Sequence, residues 1–215
     1  MKISAVCFDM DGTLIRNTDS VKYLCTLSNR LEEFERIECR EDERSITWIE
    51  GDYLKAELVA GLGLSDVEDK FADKIELIHG IAQVLEFLRA RRIKSVLITA
   101  GPIQVASIIG KMFSFDGVYG STYEVVDSRF TGRITTHLGN HGKLTCLGDF
   151  CLKSGLVLEN CVAIGDSSSD IAVFRKCGKS IAINYSDSLK GKGSEHIITE
   201  DLSDVIDIID SWLGE

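Results

Sequence analysis

Two aspartates one residue apart, Asp9 and Asp11, emerge from an apolar run spanning Ile3 to Phe8, and no other stretch constrains the chain so strongly. The bulk and alternation of the run predict a buried strand. A strand does not carry two unpaired charges into a core, so the pair is expected just past its end. There, side chains at i and i+2 lie on one side and can share a cation. An EF-hand calcium loop is a poor alternative, because that loop follows a helix and ends on a glutamate at its twelfth place, where this chain has Ser20.

Composition limits what such a site can serve. A chain of 215 residues, 44% hydrophobic and 27% charged, has room for one sizeable core plus a small second unit. A net charge of -10 argues against nonspecific binding to nucleic acid or anionic membranes, which both call for basic patches. No apolar segment is long enough for a membrane helix, and the first residues lack a leader pattern. The seven cysteines are odd in number and form no C-x-x-C pair, so buried thiols in a reducing cytoplasm are expected, not disulfides or zinc ligands.

Beyond Gly12 the pattern changes. Residues 16–79 are rich in charge and helix formers, with Leu24, Leu27, Leu31 and Phe34 at helical spacing, and they predict several short helices without strands. From Gly80, Ile81, Val84, Leu85 and Leu88 predict a helix feeding a strand at Ser95 to Thr99. Val105, Ile108, Ile109 and Met112 predict the next helix, with Pro102 in its first turn. A hairpin beside the main sheet is expected between Val118 and Leu138, turning at Thr131-Gly132.

Then follow a helix over residues 142–154, a strand over 161–164, a helix after Ser167, and strands over 180–183 and 196–198. An amphipathic helix carrying Leu202, Val205, Ile206 and Ile209 closes the chain. Strands alternating with helices predict an α/β fold, a doubly wound parallel sheet whose ligands bind beyond the carboxyl ends of its strands. Asp9 and Asp11, Thr99-Ala100-Gly101 and Gly165-Asp166 through Asp170 all fall at such ends and can meet in one crevice.

This ordered set of motifs, Asp9-Met10-Asp11-Gly12-Thr13-Leu14, then Thr99, then Lys143, then Gly165-Asp166 with Asp170, resembles the haloacid dehalogenase superfamily. The spacing and the helical insertion most resemble its phosphoserine phosphatase branch. The resemblance implies a Rossmann-like catalytic core over residues 1–15 and 80–215 and a helical cap domain over residues 16–79. It further implies a Mg2+-dependent phosphomonoesterase working through an aspartyl-phosphate. Asp9 would be the nucleophile, and Asp11 the general acid and later the base. Asp9, Asp166 and the backbone carbonyl of Asp11 would hold Mg2+. Thr99, Ala100, Gly101 and Lys143 would bind phosphate, and Asp170 would support Lys143 or a metal-bound water.

The same resemblance points to a small phosphorylated metabolite, phosphoserine first, and to a monomer or homodimer. The branch carries a glutamate nine residues after the nucleophile and an arginine in the cap, where this chain has Thr18 and Ala56. Asp19 could replace the acid and Lys55, Arg44 or Arg16 the base. Ser169 also stands where the branch has asparagine. Hydrolysis of a sugar phosphate or nucleotide monophosphate, and phosphoryl transfer to another alcohol, are the alternatives within the fold. A silent regulatory protein is the alternative from another class. The acids at Glu32, Glu33 and Glu43 are expected on a solvated face, and His137 and Trp48 are given no role.

Overall fold

The computed structural model describes residues 2–214. The apolar run becomes β1 (Ala5–Phe8), every residue of it buried. Around it a seven-stranded sheet forms with β2 (Lys94–Pro102), β3 (Gly117–Val126), β4 (Arg129–Thr136), β5 (Cys161–Gly165), β6 (Lys179–Ile183) and β7 (Glu195–Ile197). The order is β4-β3-β2-β1-β5-β6-β7. Every pairing is parallel except that of β3 with β4.

Period-two alternation divides the sheet between two cores. Val6 and Phe8 of β1, Leu97 of β2 and Val162 and Ile164 of β5 face one side, against α5 (Ile81–Ala90), α6 (Ile103–Phe113) and α9 (Val205–Leu213). Ala5, Cys7, Val96, Ile98, Cys161 and Ala163 face the other, against α7 (Gly139–Ser154) and α8 (Ile171–Phe174). Strands covered on both faces read as continuous apolar runs, which is why β1 and β5 stood out in the sequence.

The segment between β1 and α5 is helical, as expected: α1 (Ser20–Leu27), α2 (Leu31–Asp42), α3 (Trp48–Leu58) and α4 (Leu64–Lys74). Asp19 starts α1 by accepting the Lys22 N–H at 2.7 Å, and Thr47 starts α3 through a capping box with Glu50.

Several boundaries differ from the sequence reading. The hairpin turns at Asp127-Ser128, both with positive φ (49° and 60°), and Thr131-Gly132 lies inside β4. Gly132 serves a different need. Its φ of +86° strains any side chain, and a Cβ there would crowd Ala60 Cβ at 3.1 Å and Glu57 Cα of α3 at 3.3 Å. The hairpin is also not beside the sheet, because β3 pairs with β2 and so extends it. Pro102 ends β2 one residue before α6, and α8 is one turn long after a 3-10 turn at Ser168–Asp170.

Candidate active site

β1 and β5 are neighbours, yet the chain leaves β1 toward β2 on one side and reaches β5 only after β4 and α7. That reversal opens a crevice at the carboxyl ends of β1 and β5. Asp9 follows β1 and Asp166 follows β5, so the topology alone brings these two carboxylates together.

Lys143 enters from α7. Its Nζ donates to Asp9 Oδ1 at 2.7 Å and to Asp170 Oδ1 at 2.8 Å, and all three residues are at most 4% exposed. Lys153, a nearer lysine in sequence, lies exposed at the end of the same helix. The second oxygen of Asp170 accepts the Asp166 and Ser167 amides, each at 3.2 Å, which fixes the loop after β5. Burial alone would lower the Lys143 pKa, but the Asp170 and Asp9 carboxylates outweigh it and hold the ammonium charged.

One ammonium is too little for these acids. Carboxylate oxygens of Asp9, Asp166 and Asp170 lie within 4.8 Å of one another, and Asp166 Oδ1 is buried with no hydrogen-bond partner. Burial first, then the Asp9 and Asp170 charges, push the Asp166 carboxyl up to about 9. Burial, then Asp9, raise Asp170 to about 6 against the pull of Lys143. A hard-oxygen donor set with an orphaned buried oxygen fits a small divalent cation, which would relieve this repulsion.

Asp11 points elsewhere. Ser20 donates its N–H to Oδ1 at 2.7 Å and its hydroxyl to Oδ2 at 2.6 Å, linking Asp11 to the start of α1. Burial and then the Asp19 charge raise the Asp11 carboxyl to about 7, against the Ser20 hydrogen bonds. Thr99 is buried, and its oxygen accepts the Gly101 N–H at 2.9 Å, so its own hydrogen is left to donate. The Gly101 amide is thereby engaged within the loop, and the Ala100 carbonyl accepts from Ser121 at 2.6 Å.

Asp9, Asp11, Thr99, Ala100, Gly101 and Lys143 line one cavity of about 250 Å³. Its opposite wall comes from the helical segment, with Asp19, Glu38, Trp48, Asp52 and Lys55. Of the cap candidates, Asp19 and Lys55 therefore reach the cavity. Arg16 lies in a neighbouring cleft, donating to the Gly12 carbonyl at 3.0 Å, and Arg44 is exposed after α2 and lines neither.

Several residues without an assigned role prove to matter here. Lys55 Nζ donates to Glu38 and lies 3.0 Å from Glu41, so the acidic face of α2 is not wholly solvated. His137 bonds Asp52 at 2.8 Å and stacks on Tyr53, and Trp48 lines the cavity. The signal for the first pair was present in the sequence, since Glu38 and Glu41 share a helical face with Ile37. Of the thiols expected to be buried, Cys7, Cys25, Cys151 and Cys161 are, Cys146 and Cys177 are half-buried, and Cys39 is exposed.

Comparison with known proteins places the architecture. The chain is 26% identical over 180 residues to a phosphoserine phosphatase of Streptomyces coelicolor, covering 83% of this chain and 43% of that one. It is 24% identical over 209 residues to a phosphoserine phosphatase of Methanocaldococcus jannaschii, covering 97% and 98%. The chain spans about half the length of several curated relatives it matches. Among solved structures, a phospho-aspartyl intermediate analogue of phosphoserine phosphatase superposes with a TM-score of 0.83 at 23% identity, covering 97% of this chain and 99% of that one. A family model described as haloacid dehalogenase-like hydrolase matches residues 6–175, and the chain belongs to that family.

Proposed function

We propose that the protein is a Mg2+-dependent phosphomonoesterase that hydrolyses a small organic phosphate through an aspartyl-phosphate on Asp9. The observation that carries this reading is the buried contact of Lys143 with Asp9 and Asp170 beside the cavity, next to the bare oxygen of Asp166. Asp9, Asp166 and the Asp11 carbonyl would hold the cation. When bound, it would offset the charge between a carboxylate and a phosphate dianion.

In the first half-reaction an Asp9 oxygen bonds to phosphorus and the bond from phosphorus to the alcohol oxygen breaks. Asp11 gives its carboxyl proton to that departing oxygen, a role suited to a group held near neutrality. In the second half, water attacks phosphorus, Asp11 takes the water proton, and the bond to Asp9 breaks to release inorganic phosphate. Thr99 donates to a phosphoryl oxygen, and Lys143 supplies fixed positive charge beside it. Residues 16–79 act as a cap that keeps bulk water from the intermediate, because α1 to α3 supply the wall facing Asp9.

Phosphoserine, the substrate in the names of the relatives, is the reference compound for assay. Purified protein with Mg2+ should release phosphate from p-nitrophenyl phosphate or from a panel of amino-acid, sugar and nucleotide monophosphates. Asp9→Asn should lose roughly 10³-fold or more of that rate. Equal rates for the two proteins would overturn the reading.

A further inference from the structure

Resting on the phosphatase reading above, we propose that the substrate is a phosphomonoester whose alcohol carries a cationic amine and no carboxylate. The wall that faces Asp9 across the cavity must receive whatever the phosphate is attached to. Its charges are lopsided. Asp19, Glu38 and Asp52 line it, and Lys55 is its one cation among the described residues.

Lys55 is not available to greet an anion. Its side chain is 6% exposed, its ammonium donates to Glu38 and lies 3.0 Å from Glu41, and it sits 4.9 Å from the centroid of the Phe34 ring. Two carboxylates against one ammonium leave this cluster net negative, and Asp19 adds to it. A carboxylate on the substrate would have to displace Glu38 or Glu41 from Lys55 while meeting Asp19 directly. An ammonium meets acids on this wall and the ring of Trp48, which lines the same cavity.

Asp52 reinforces the bias without being free itself. Its Oδ2 is held by His137 at 2.8 Å, and the Tyr53 ring stacks on that imidazole, so the carboxylate is fixed in place against the cavity. The small volume, about 250 Å³ shared with the phosphate site, suits a short amino alcohol. The reaction consumes water, and the products are inorganic phosphate and the free amino alcohol. The amine takes no part in bond making.

O-phosphoethanolamine and O-phosphoserine differ by one carboxylate, and n-propyl phosphate removes the amine as well. With Mg2+, kcat/KM should fall in the order O-phosphoethanolamine, n-propyl phosphate, O-phosphoserine, with about tenfold or more between the first and last. Glu38→Gln, at a side chain 44% exposed, leaves Lys55 with Glu41 as its remaining acid partner, removes the net negative charge of that cluster, and should shrink that ratio about tenfold. O-phosphoserine equal to or better than O-phosphoethanolamine overturns the proposal, as does an unchanged ratio in Glu38→Gln. Loss of p-nitrophenyl phosphate hydrolysis in Asp9→Asn reports separately on the phosphatase reading. Calorimetric binding of the same three compounds to the Asp9→Asn protein reads the head-group preference whether or not turnover occurs, and tighter O-phosphoserine binding there also overturns it.

Discussion

Ser20 clasps Asp11 with both of its donors, the backbone N–H on one carboxylate oxygen at 2.7 Å and the hydroxyl on the other at 2.6 Å. Asp11 sits at the end of β1 and Ser20 opens α1, so the proposed proton donor is bonded to the first residue of the helical segment. These bonds favour the ionised carboxyl and oppose the burial that raises it to about 7.

Removing the hydroxyl should therefore raise Asp11 further. Asp11 must be protonated to act as acid, so the alkaline limb of kcat/KM against pH should move upward in Ser20→Ala. A limb that stays in place or moves down would contradict the link. Steady-state rates from pH 5 to 9 decide it.

Asp11→Asn removes the proton altogether. The rate should fall by ~10² to 10⁴-fold, and the limb assigned to Asp11 should vanish while substrate binding persists. Retention of the same limb in the variant would reassign the acid.

Stability without metal should fall as pH rises. The unfolded chain releases the Asp166 proton near the ordinary 3.8, whereas the folded chain keeps it to about 9, so the folded state binds more protons across that window. Asp170, raised to about 6, adds to the slope at its acid end. Melting curves in chelator should show Tm dropping from pH 5 to 9, and Mg2+ should restore more at pH 9 than at pH 5. Asp166→Asn should flatten the chelator slope, a readout independent of turnover.

Lys143→Met should destabilise the fold by about 3–5 kcal/mol, because Asp9 and Asp170 would be left buried without their shared cation. Denaturant titration measures it, and a loss below about 1 kcal/mol would show that the triad is not coupled as its geometry implies. Lys143→Arg is not a rescue. A compact ammonium serves both acids, at 2.7 and 2.8 Å, and a planar guanidinium presents its donors in a different geometry.

Gly12→Ala tests the close approach of the two strand ends. Gly12 has a φ of +79°, and an added Cβ would stand 2.3 Å from Asp166 Oδ2. The variant should weaken Mg2+ activation, read as a rise in the metal concentration for half-maximal rate.

Much of this site could be read from the chain because parallel strands advertise themselves. Apolar runs ended by Asp9, Thr99 and Gly165-Asp166 are what a sheet covered on both faces requires, and the crossover topology leaves those ends one place to meet. The hairpin turn escaped because Asp127 and Ser128 take left-handed conformations without a glycine to announce them, while Gly132 is a glycine for reasons of helix approach. The wall of the cavity was harder still. Lys55, Glu38, Asp52 and His137 come from α3, α2, α3 and the end of the hairpin, and only tertiary packing decides that they meet.

The hairpin also holds the helical segment by its backbone. The Gly61 N–H donates to the Phe130 carbonyl at 2.8 Å, the Leu64 N–H to Ser128 at 2.9 Å and the Phe130 N–H back to Leu62 at 2.9 Å. Helices and hairpin are thus stitched into one exchange unit, whose amides should open together and not helix by helix. Any motion that carries these helices away from the strand ends must therefore break the three bonds or take the hairpin with it.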